Sequence, residues 1–264
     1  MKIGCCVNML ATPQDPLGIK WMQNVAKAGY DYIELPMSMI MTLSDEDFEK
    51  LATEVDTLGI PCDCCNAYVQ PNIRLTGPNA DFAKAEEYLR VSTERAARLG
   101  AKYLIFGSAG AKNVPDGFSH DEAFNQIVSF LKLAAKYCEK NNVNIAIEPL
   151  NKLETNITTS LADGAKLMDA VNHPRIKLLA DFYHFDLGNE TANDLKNVCD
   201  KLVHTHFAET LNRSFPTEMK PRYREFFDTL ISNGYNGRCS IEAYSQNPAD
   251  DLISGLAVLA EYRW

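Results

Sequence analysis

The stretch "HTHFAETLNR" (204–213) completes a run that begins at "LV" (202–203), and it carries two histidines two positions apart. Successive side chains of a strand point to opposite faces, so a strand here puts His204 and His206 on one side. Two imidazoles on one face serve either as ligands or as hydrogen-bonding groups inside a core, and the pair alone does not choose between them. What the neighbouring strands offer decides it.

Seven further β-rich runs flank this one: "KIGCCVN" (2–8), "YDYIELPM" (30–37), "PCDCCNAYV" (61–69), "AKYLIFGS" (101–108), "NIAIEPLN" (144–151), "IKLLADFYH" (176–184) and "GRCSIEAY" (237–244). Helical patterns lie between them. "SDEDFEKLATEVDTLG" (44–59) opens on a serine cap and stops at glycine, and "FAKAEEYLRVSTERAARLG" (82–100) has the same stop. Others are "DEAFNQIVSFLKLAAKYCEKN", "LADGAKLMDAVN", "YREFFDTLISNG" and "DDLISGLAVLAEY". Eight β–α units in 264 residues predict a (β/α)8 TIM barrel, one domain over residues 1–264. A doubly wound open sheet is the alternative, but no GxGxxG follows the first strand. The segments 70–81 and 107–120 are expected to be rim loops: Pro71 and Pro78 oppose regular structure in the first, and glycines in the second allow close approach to a ligand.

Composition narrows the functional classes. A net charge of −9 disfavours a nucleic-acid partner. The chain lacks an apolar run near 18 residues, an arginine-rich leader and a secretory pattern, so a cytoplasmic protein with no membrane partner is expected. The eight cysteines have no disulfide-scaffold spacing and are expected to be reduced. Within "CDCC", strand alternation places Cys62 and Cys64 on one face and Cys65 on the other, as small buried hydrophobes.

In a barrel of this kind chemistry gathers at the carboxyl ends of the strands. There the sequence places Glu148 on strand five, Asp181 on strand six with His184 just beyond, His206 on strand seven and Glu242 on strand eight. Three carboxylates converging without a cation repel and raise one another's pKa, so the four metal-compatible residues at successive strand ends point to one divalent metal ion. A set of three carboxylates and one imidazole suits Mn²⁺ first, with Mg²⁺ or Co²⁺ as alternatives. His204, deeper in its strand, is expected to support the site from the core.

These residues resemble the sugar isomerase and epimerase superfamily of xylose-isomerase-like barrels, and within it the D-tagatose and D-psicose (ketose) 3-epimerases. The motifs that carry the likeness are "EPLNKLE" (148–154), "DFYH" (181–184), "HTHFAETLNR" and "SIEAY" (240–244). Arg213 stands one residue farther from His206 than the family pattern has it. The resemblance implies metal ligation by Glu148, Asp181, His206 and Glu242, and proton transfer by Glu148 and Glu242. It further implies contacts from Glu154, His184 and Arg213 to a small-molecule sugar, and a homo-oligomer.

The implied reaction is epimerisation of a ketose at C3 by deprotonation and reprotonation through a metal-stabilised enediolate. The same groups also permit aldose–ketose isomerisation. The main alternative is a metal-dependent lyase, similar to inosose dehydratases or C-glycoside-cleaving enzymes. An abasic-site endonuclease lacks support, since "CCNAYVQ" and "LIFGSAG" hold none of the extra histidines its three-zinc centre needs. A non-catalytic sugar-binding protein would need neither Glu148 nor Glu242. Arg74 is the one weak candidate for a phosphate contact.

Overall fold

In the computed structural model, which describes residues 1–263, eight parallel strands close into a barrel in chain order, β1 pairing with both β2 and β8. They are β1 (Lys2–Cys6), β2 (Tyr32–Pro36), β3 (Cys62–Asn66), β4 (Tyr103–Phe106), β5 (Asn144–Ile147), β6 (Ile176–Asp181), β7 (Leu202–Phe207) and β8 (Arg238–Ile241). The main outer helices are α1 (Met22–Ala28), α2 (Asp45–Asp56), α3 (Phe82–Arg98), α4 (His120–Asn141), α5 (Leu161–Val171), α6 (Ala192–Lys196), α7 (Pro221–Ser232) and α8 (Pro248–Leu259). The TIM barrel expected from the sequence is the fold, in a single domain. The expected helix ends also form: Ser44 accepts a hydrogen bond from the Asp47 amide at the start of α2. Gly59 and Gly100 adopt the left-handed backbone after α2 and α3, where a side chain is unfavourable. Among the described residues no helix is long and apolar enough to cross a membrane.

Most of the core lies between the strands and the helices, as strand alternation requires: Ile33 and Leu35 of β2, for example, join the helix-side cluster. Ile105, Ala146 and Leu179 form a separate apolar cluster, with Tyr103 and Val203 packed on it. Near it Asp63 is buried and paired with Arg238 at 2.7 Å and Lys102 at 3.1 Å. Polar side chains from β2, β7 and β8 then meet, and Tyr32 fits among them because a Cβ on Gly4 of the adjoining strand would fall 2.2 Å from its ring.

Three sequence expectations change. The β2–β3 register jumps between Ile33 and Glu34, which pair with Cys62 and Cys64, leaving Asp63 as an extra residue. Such a bulge reverses the alternation beyond it. Cys62 and Cys65 therefore share the helix-side core, while Cys64 lies beside His204 at 4.0 Å. All eight cysteines are free and buried. Within 107–120, Ala109–Lys112 forms one helical turn instead of open loop. Segment 70–81 is irregular as expected. Arg74 donates to the carbonyls of Gly110 and Asn113, so it ties the two rim segments together and is not free for a phosphate.

Candidate active site

The four strand-end residues converge. Glu148 follows β5, Asp181 ends β6, His206 lies one residue from the end of β7, and Glu242 follows β8. One donor atom from each lies within 4.8 Å of all the others, and all four side chains are buried. His206 Nδ1 is 2.9 Å from Glu148 Oε1 and 3.5 Å from Glu242 Oε2. Asn66 Nδ2 donates to Glu242 Oε1 at 2.8 Å.

Asp181 divides its two oxygens. Oδ1 accepts the Tyr183 amide at 2.7 Å and caps the short helix Phe182–Leu187. Oδ2 is buried without a hydrogen-bond partner, as is Nε2 of His184 on the same helix, 3.6 Å away. Unpaired buried polar atoms are costly, and here both belong to residues of the site. An oxygen-rich donor set with a free carboxylate oxygen fits a hard divalent cation. The described residues therefore fit the implied metal.

His184 Nδ1 accepts from the Asn151 amide at 3.2 Å and from its side-chain nitrogen at 2.8 Å. With Nδ1 accepting, the ring proton belongs on Nε2, which can then donate to an oxygen. Burial lowers the His184 pKa and favours this neutral form.

Arg213 reaches the site despite its spacing. Asn212 and Arg213 both take left-handed backbone, with φ of 60° and 48°, and this absorbs the extra residue. The guanidinium donates to Glu242 Oε2 and lies 3.6 Å from Asp181 Oδ2, 3.8 Å from Glu154 Oε1 and 4.7 Å above the Tyr183 ring. Glu154 is exposed at the edge of the site and accepts from Asn151 Nδ2 at 3.1 Å.

Burial is the largest influence on Glu148, Asp181, Glu242 and His206, but neighbours divide the outcomes. It raises Glu148, and it pushes Asp181 up to about 6. For Glu242 burial is outweighed by Arg213 and then His206, which hold it well below the ordinary carboxylate range. For His206, burial is outweighed by Glu34 and the site carboxylates, which raise it well above an ordinary imidazole. Two glutamates in one site thus differ in their hold on a proton, as acid–base chemistry requires. A cavity of about 250 Å³ opens beside them, with Gly107, Ser108, Glu154, His184 and Arg213 among its lining residues.

The sequence reading missed Glu34, Asn66, Asn151 and the buried Lys112, whose Nζ lies 3.4 Å from the Glu148 carbonyl. The one available signal was Glu34 alternating with Tyr32 inside an otherwise apolar run.

The chain belongs to the xylose isomerase-like TIM barrel family, whose model matches residues 22–262. Its relatives include several ketose 3-epimerases and a hydroxypyruvate isomerase of Escherichia coli, to which it is 27% identical over 56% of this chain and 58% of the relative. L-ribulose 3-epimerase of Methylomonas sp. (strain DH-1) is 26% identical over 254 residues, which is 93% of this chain and 85% of the relative. D-psicose 3-epimerase of Ruminiclostridium cellulolyticum is 22% identical over 85% of this chain and 77% of its own length. Among solved structures, D-allulose 3-epimerase of Methylomonas sp. in complex with D-allulose superposes with a TM-score of 0.86 at 22% identity, covering 100% of this chain and 97% of the other.

Proposed function

We propose that this chain is a divalent-metal-dependent sugar epimerase that inverts C3 of an unphosphorylated ketose. The observation that carries the proposal is the convergence of Glu148, Asp181, His206 and Glu242 within 4.8 Å beside an open cavity. These four would hold the ion, Mn²⁺ by preference. When bound, it would supply the positive charge that stabilises an enediolate and lowers the barrier to removing a proton beside a ketone.

The protein supplies the rest. Glu148 and Glu242 stand as two carboxylates for opposite faces of C3, one taking the proton and the other returning one from the far side. His184 Nε2–H and the Arg213 guanidinium orient substrate oxygens, with Glu154 at the mouth accepting from a hydroxyl. Ligand-set chemistry and ketose 3-epimerase relatives support this assignment. A homo-oligomer working in the cytoplasm belongs to the same proposal.

The test combines metal analysis with turnover in D₂O. Protein purified without chelator should carry about one Mn²⁺-type ion per chain. A free ketose should be converted to its C3 epimer, with solvent deuterium at C3. Loss of water or of a leaving group from the product would identify a lyase instead. Inversion with no label would replace the two-carboxylate route with hydride transfer.

A further inference from the structure

Below the three carboxylates of the site a further one is sealed in the barrel. Glu34 of β2 is 0% exposed, and both oxygens are engaged. Oε1 is 3.2 Å from His206 Nε2. Oε2 is 3.0 Å from His204 Nε2 and accepts from Ser240 Oγ at 2.7 Å. Ser240 Oγ is in turn 2.9 Å from the Tyr32 hydroxyl. A buried ionised group with two imidazole partners is a poor way to gain stability, since well-packed apolar side chains do as well or better. This arrangement instead fixes which nitrogen of each histidine carries a proton.

We propose that Glu34 is the positioning residue of the site: by accepting the Nε2 proton of His206, it turns the Nδ1 lone pair toward Glu148 and Glu242, where the cation is held. The inference rests on the metal reading above. It also gives the paired histidines separate tasks. His206 faces the cation, whereas His204 anchors the opposite oxygen of Glu34 and packs edge-on against His206, with ring centroids 4.9 Å apart. A carboxylate behind a ligating histidine sets its tautomer and ring orientation, and losing it costs about 10–100-fold in metal affinity.

Glu34→Gln is the sharpest test because it keeps the shape and changes one acceptor into a donor. Two donors, from His204 and Ser240, converge on the Oε2 position, so the amide oxygen settles there. The NH₂ then faces His206 Nε2, which must give up its proton to accept, and the proton moves to Nδ1. Mn²⁺ titration followed by electron paramagnetic resonance should show affinity lower by about 10–100-fold. Proton NMR should show downfield Nε2–H signals from both histidines in the parent protein, and in Glu34→Gln only that of His204. A structural role alone would lower the melting temperature and leave the His206 signal in place.

A parent protein that takes up no Mn²⁺ refutes the metal reading, whereas a parent that binds it and a Glu34→Gln variant with equal affinity and an intact His206 signal refute only this inference. Should Glu34→Gln fail to fold, Ser240→Ala supplies the second test. It removes one donor at Oε2, and the inference requires the His206 signal to persist with cation affinity within threefold. A larger loss with that signal intact would make the network packing, and would overturn the proposal.

Discussion

Gly107→Ala separates the fold from the site. Gly107 follows β4 and has ordinary backbone, so alanine brings no conformational penalty; its effect comes only from the methyl group. That carbon would fall 2.4 Å from Glu148 Oε2 and 3.2 Å from Leu150 Cδ2, whereas ordinary contact begins at 3.4 Å. The Glu148 carboxylate must therefore withdraw by about 1 Å, a displacement that costs roughly 10²-fold where reacting groups must be aligned. Because the carboxylate is the free end of a side chain, the fold should absorb the change, and stability should move by less than about 1 kcal/mol. The assay pairs ketose epimerisation and Mn²⁺ titration with thermal unfolding. Turnover and affinity within threefold of the parent would show that Glu148 does not act from its observed position. A collapse of melting temperature would show instead that the strain enters the backbone.

Glu148→Gln and Glu242→Gln each keep an oxygen for the cation and lose a proton carrier, so turnover should drop by at least about 10²-fold, with substrate binding reduced less; equal losses in both would point to a binding role. Cation uptake should weaken as pH falls toward and through about 6, because Asp181 takes up a proton there and adds to the proton that His206, raised well above an ordinary imidazole, must already shed from Nδ1 to bind; a Mn²⁺ affinity unchanged between pH 7.5 and 5.5 would contradict that. Glu190, raised by burial to about 7 although it accepts the Leu161 amide, binds a proton in the folded state that the unfolded chain lacks. Stability from this group is present at low pH and is lost as pH rises toward and through 7. Glu190→Gln keeps the acceptor, and after allowance for solvent it should raise the melting temperature at pH 8 by about 2–4 °C with no gain at pH 4.

The barrel and its four converging residues were legible because their signals are local. A strand run ends, and a carboxylate or histidine stands at that end, whatever the neighbours do. What escaped needed the pairing of strands. Glu34 on an inward face and an acid on an outward face give similar sequence, and only closure of the barrel brings Glu34 of β2 against His206 of β7, just as only the β2–β3 register sets which β3 residues lie beside Glu34. The same register jump at Asp63 redirects Cys65 without any glycine or proline to announce it. Arg213 was displaced in the motif by one residue and recovered by two left-handed residues, a correction made in backbone angles that spacing does not record. The turn Ala109–Lys112 is too short to show a helical period.

Asp181 ties a scaffold task to a chemical one, since the same carboxyl group starts the helix that carries His184 and leaves its other oxygen toward the cluster. This limits how the molecule can diverge. The loop after β6 cannot be exchanged for another as freely as an ordinary rim segment: a glutamate at 181 lengthens the side chain and loses the cap geometry, while serine keeps the cap and surrenders the anionic oxygen. Asparagine saves the helix start and halves the oxygen supply. Substrate preference therefore has more room to drift after β3 and, beyond Gly107, after β4, where the two rim segments brace each other through Arg74 and supply none of the four cluster residues. The β6 end stays fixed, and the barrel's adaptability is concentrated on one side of its mouth.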